Sequence, residues 1–112
     1  MAKLPSPTSV EGFALTGPSN PPDPRTHAYR RDLADTALAN QVIASHYAEP
    51  LDRVVSQAAT LRSAPSDESE ALAELTAGEP FAMLDNSLGW AWGYAGRDRI
   101  VGYLRSAEVG AA

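Results

Sequence analysis

In the second half of the chain, apolar residues fall in short bursts of period-two alternation, with turn residues between them at regular intervals. This pattern predicts strands, because successive strand side chains point to opposite faces. The expected strands cover 54–62, 71–75, 80–85, 90–94 and 100–104, with Val109 as a last strand residue. Leu72 and Leu75 are placed inward, and Phe81 and Met83 share a face. Polar or Gly-containing segments punctuate the series at 64–66, 76–79, 86–89 and 95–99, and 106–108 fits one 3₁₀ turn. Five or six short strands over 53–109 predict a mainly β fold, a small closed or nearly closed barrel, since closure removes exposed edges.

Alternation puts Trp90, Trp92 and Tyr94 on one face of their strand, and Ala91 and Gly93 on the other. A barrel this small needs bulky residues inside. Trp90 and Tyr103 are therefore expected as core or half-buried packing, and Trp92 follows if Trp90 turns inward and no bulge intervenes.

The front of the chain reads differently. Residues 1–24 hold Pro5, Pro7, Pro18, Pro21, Pro22 and Pro24, and proline removes backbone donors and disfavours helix. An extended or mobile arm is expected there, either docked through Val10, Phe13 and Leu15 or left as a disordered leader. Residues 25–52 form a lead-in segment. Its basic stretch, 25–31, is expected to pair with acidic groups of the barrel. Asp32 stands where a helix N-cap belongs, and Asp35 would lie in the first turn, so one short helix is predicted to about Asn40. Val42 and Ile43 favour extended chain from there towards Pro50.

Charge sharpens the division. Residues 1–31 carry four basic and two acidic side chains, net +2; residues 32–112 carry five and twelve, net −7. An acidic barrel argues against a nucleic-acid partner, which needs a basic face. No stretch approaches the roughly 20 apolar residues of a membrane span. Prolines interrupt the first residues, where a signal peptide would need a continuous apolar run. The expected location is the cytoplasm, or the periplasm where an export signal has been removed.

Cysteine is absent, so this chain contains no thiol nucleophile, disulfide or thiolate metal site. His27 and His46, with scattered carboxylates, match no metal-ligand spacing, and no cofactor is expected. Asp67, Glu68 and Glu70 read as a solvated loop. The residues best suited to hold a ligand are Trp90, Trp92, Tyr94 and Tyr103, whose flat faces can stack on sugars or peptides.

Four motifs in order, 61-LRSAPS-66, Leu72 with Leu75 and 77-AGE-79, 89-GWAW-92 and 101-VGYL-104, resemble the bacterial SH3-like domain family over about 53–109. One departure is Ala64, where the family commonly has glycine. The preceding 23-DPRTHAY-29, 32-DLAD-35 and 46-HYA-48 resemble the start of NlpC-type cysteine peptidases. In that family, such a region and an SH3-like domain precede a papain-like catalytic domain that cuts peptidoglycan stem peptides as a γ-D-glutamyl-L-diamino acid endopeptidase. The resemblance implies a non-catalytic module that binds or positions stem peptide or muropeptide for a catalytic domain elsewhere in the protein. A protein-protein interaction or self-association module is the second class; a free-standing enzyme is a third, which the residues support poorly. A ligand surface is expected at the rim of the 90–104 hairpin, with the segment from Tyr29 to Tyr47, including the Tyr47 ring, as its second wall.

Overall fold

The computed structural model describes residues 22–112. All but the last three positions of the expected 1–24 arm, including Val10, Phe13 and Leu15, lie outside the described residues. The elements run β1 (Leu33–Asp35), a 3₁₀ turn (Thr36–Leu38), β2 (His46–Ala48), β3 (Leu51–Val55), β4 (Ala59–Arg62), β5 (Ala71–Leu75), β6 (Pro80–Ser87), β7 (Trp90–Ala95), β8 (Ile100–Arg105), a second 3₁₀ turn (Ser106–Glu108) and β9 (Val109–Ala111). The fold is mainly β, as the alternation predicts.

Strands β3 to β9 form one antiparallel sheet in the order β5-β4-β8-β7-β6-β3-β9. The sheet curls around a single apolar cluster of Val55, Ala59, Leu61, Leu75, Phe81, Ala91, Ala95 and Leu104, with Leu72, Met83 and Val109 packed against it. Each of the seven strands contributes a side chain, which is how a short sheet buries a sizeable core. On β5 the register steps from Leu61↔Ala73 to Arg62↔Ala71, leaving Leu72 as an extra residue. The bulge turns Leu72 inward beside Leu75, as expected, although the two positions differ in parity.

The predicted strand over 54–62 is two strands. Val55 ends β3 between β6 and β9, Ala59 starts β4 between β5 and β8, and the chain turns a corner in between. At that corner the Ser56 amide donates to the Glu108 carbonyl at 2.8 Å. Alternation alone does not mark such a corner. The predicted helix over 32–40 shrinks to the 3₁₀ turn. Its cap is Asp35, whose Oδ1 accepts from the Ala37 amide at 3.0 Å, and not Asp32. Residues 33–35 instead pair in parallel with 46–48. The Asp32 carboxylate is taken by Arg30.

The aromatic face also requires correction. Trp92 and Tyr94 are buried, but not in the barrel core. Ala91 and Ala95 are the β7 residues that face the core, while Trp92 and Tyr94 belong to a second cluster with Ala28, Ala82 and Val101. The inner row of β7 is therefore Ala91, Gly93 and Ala95, and it is small because the barrel wall closes tightly there. A Cβ on Gly93 would lie 2.0 Å from the Ala82 carbonyl oxygen, and one on its cross-strand partner Gly102 2.7 Å from Leu61 Cγ. Large rings cannot fit that row, so they stand on the outer face. The lead-in segment keeps them from water, and it has an apolar cluster of its own in Ala34, Leu38 and Val42.

Candidate functional site

Three connections, with the exposed Arg25–Glu70 pair as a fourth, hold the lead-in segment on the outer face of the barrel. The Tyr94 hydroxyl accepts from the Ala28 amide at 3.1 Å and donates to Asp35 Oδ2 at 2.7 Å. The Val101 amide donates to the Arg25 carbonyl at 2.8 Å. Arg30 makes the third connection. Its guanidinium lies 4.4 Å over the Trp92 ring, bonds both oxygens of Asp32 at 2.9 Å, reaches Asp85 at 3.1 Å and donates to the Tyr103 hydroxyl at 3.3 Å.

Asp85 reaches this site through a second bulge. The β6–β7 register steps from Met83↔Gly93 to Asp85↔Trp92, so Leu84 is the extra residue and Asp85 moves to the Trp92 face. Burial opposes the charge on Arg30, but its bonds to Asp32, Tyr103 and Asp85 outweigh that and strengthen its hold on the proton. The Arg30 hydrogen bond holds the Asp32 carboxyl below the usual carboxylate range. Burial, assisted by the bond to Asp35, pushes the Tyr94 hydroxyl up to about 12.

Beside Arg30 lies a groove of about 610 Å³. Arg30, Asp32, Leu33 and His46 of the lead-in segment form one wall; Asp85, Ser87, Leu88 and Trp90 of the β6–β7 hairpin form the other, with Tyr103 and Pro65 completing it. The hairpin tip has an unusual composition. Leu88 and Gly89 are a two-residue loop with φ of +55° and +84°, the left-handed turn that usually takes Asn-Gly. Leu88 is 98% exposed, so an apolar side chain stands in water on a backbone that disfavours it.

The expected site residues separate. Trp90 and Tyr103 line the groove. Trp90 is nonetheless mostly covered, with the Arg105 guanidinium 4.3 Å over its ring; Arg105 also pairs with Asp67. Trp92 lies under Arg30, 6.4 Å from the Tyr103 ring. Tyr94 is buried, and both hydrogen-bonding roles of its hydroxyl are occupied. Tyr47 is outside the groove; its hydroxyl donates to the Val42 carbonyl at 2.7 Å and accepts from the Ala44 amide at 3.2 Å. Arg30 and Arg25 pair with the barrel acids Asp85 and Glu70, as expected of the basic stretch. Arg30 and His46 lie in the 29–47 segment expected as the second wall, though neither was singled out in it; Leu88 and Asp85 were not expected, and of these two only Leu88 carried a sequence signal, a leucine where Asn-Gly turns place asparagine.

His27 Nδ1 lies 2.8 Å from Thr26 Oγ1. Among the described residues, no three His, Asp or Glu side chains gather as metal ligands would. Residues 61–109, from the middle of β4 to the first residue of β9, match the family described as the bacterial dipeptidyl-peptidase SH3 domain. This supports a bacterial SH3-like domain, a type of non-catalytic module, for the barrel. No curated protein and no solved structure matches the chain.

Proposed function

We propose that the chain is a non-catalytic SH3-like module that binds or positions a peptidoglycan stem peptide for an NlpC-type cysteine endopeptidase domain. The observation that carries this reading is the groove where Leu88, Trp90 and Tyr103 meet Arg30, Asp32, Asp85 and His46. It offers apolar and aromatic surface beside charged groups of both signs, which suits a short peptide with charged and small apolar parts. The exposed, left-handed Leu88 supports it further, because strain of this kind collects where a ligand or partner makes use of it. The matched family is described as the SH3 domain of a bacterial dipeptidyl-peptidase, and the resemblance of 23–48 to NlpC-type enzymes also points to a peptidase.

Titrating labelled protein with muropeptides tests the proposal. Saturable amide shifts confined to 30–33, 46, 85–90 and 103 are expected; a silent groove overturns it. The exposed Ile43 and Leu51 and part-exposed Tyr47 favour a second reading, a surface for another protein or a second copy. Light scattering across a concentration series separates the two.

A further inference from the structure

At the other end of β7 from the groove, the β7–β8 turn, Gly96 to Arg99, overhangs a hollow of about 490 Å³. Arg53, Arg97 and Arg99 line it, with Asp52 as the one acidic side chain on its wall. This local excess of positive charge stands in a part of the chain that is −7 overall. Among the described residues, none of the three arginines forms an ion pair. Arg53 donates only to the neighbouring Asp52 carbonyl, at 3.2 Å.

Arg99 is held in place. Its guanidinium lies 4.3 Å over the Tyr94 ring, and its backbone is left-handed at φ +53°. The fork of a guanidinium can grip a carboxylate with two parallel bonds, and the ring contact limits the positions Arg99 can take. Tyr94 is itself fixed by Asp35 and Ala28, so the support is rigid.

We infer that this hollow is a second binding site, taking a single carboxylate group from an acidic peptide or a small organic acid. It is separate from the groove and independent of the reading given to it. Three arginines and one aspartate suit a monoanion; a polyanion would meet the surrounding acidic surface.

The test follows the arginine side-chain Nε–H signals while sodium acetate, a glutamate-containing peptide with blocked ends, or the same peptide with glutamine is added. A carboxylate site gives saturable shifts at Arg99, Arg97 and Arg53 in the millimolar range, with Trp90 and Tyr103 unmoved. Tighter binding of the peptide than of acetate assigns the ligand to a peptide, and equal binding assigns it to a small acid. The double variant R53Q/R97Q removes two guanidinium groups whose one other bond among the described residues is that of Arg53 to the neighbouring Asp52 carbonyl, and should weaken binding at least tenfold. A form with neutral residues joined after Ala112, which lines the hollow, controls for a carboxylate there. Equal shifts with the glutamine peptide, no saturation, or binding unchanged in the double variant overturns the inference.

Discussion

The Tyr94 hydroxyl donates to the Asp35 carboxylate across 59 positions of sequence, at 2.7 Å and out of water. This bond ties the first strand of the lead-in segment to the outer face of the barrel. Because Asp35 also caps the 3₁₀ turn and donates its own amide to the Ala28 carbonyl at 3.0 Å, the two parts share one hydrogen-bond network.

Tyr94→Phe should therefore destabilise the whole protein, not only the lead-in segment. It strands a buried amide at Ala28 and a buried carboxylate oxygen at Asp35, a loss of about 1–3 kcal/mol. Urea unfolding of Y94F, D35A and the double variant checks this. A coupling energy of at least about 0.5 kcal/mol is expected, and strict additivity would show that the pair is not coupled.

The same residue sets an alkaline limit. Tyr94 keeps its proton more tightly when folded, because burial raises its pKa to about 12 from the ordinary value of 10. Its contribution to stability is complete below pH 10 and falls away as pH rises through 12. Following tyrosinate absorbance, one of the four tyrosines should ionise late, together with unfolding. In Y94F the late step should vanish and the alkaline decline should flatten.

Arg30→Lys keeps the charge but loses the planar fork that serves Asp32, Asp85 and Tyr103 together. A loss of about 1–2 kcal/mol is expected, most of it from Asp85 and the Trp92 stacking, since Asp32 is largely exposed and its pair is screened. Thermal unfolding and tryptophan fluorescence check this; unchanged emission and unchanged melting would show that Arg30 is incidental to the packing.

Leu88→Asn should separate stability from binding. Asparagine tolerates the left-handed backbone, so the variant should gain up to about 1 kcal/mol. If the groove binds stem peptide, the same variant should bind muropeptide more weakly than the parent. Calorimetric titration reads the affinity and denaturant unfolding the stability, and a variant that is less stable than the parent contradicts the strain assignment.

Gly93→Ala should be among the most damaging single-methyl changes. The added carbon meets backbone, which cannot rotate away, and a loss of about 3 kcal/mol or more is expected. A soluble variant with parental melting would show that the wall is looser there than the geometry implies.

The barrel was legible in the sequence because alternation, turn residues and strand length agree over most of 71–111. β5 falls where the pattern put it, and so does the second 3₁₀ turn. Which face of β7 turned inward was not legible. Alternation defines two faces but assigns neither, and here the deciding fact is the close approach of Gly93 to Ala82, a contact made between strands. The groove was half legible. Tyr103 and Trp90 stood out as aromatics, and Arg30 lay in the expected 29–47 wall without being singled out, whereas Asp85 reaches the site only through a bulge.

The covered outer face has a practical consequence for anyone wishing to move this module elsewhere. A fragment cut to the bare strands of 53–109 would carry Trp92, Tyr94 and Val101 uncovered, an adhesive flank apt to recruit other chains. The transplantable piece is longer than the stretch that carries the family signature: it must bring its own cover, from about residue 22 onward, or arrive with a substitute.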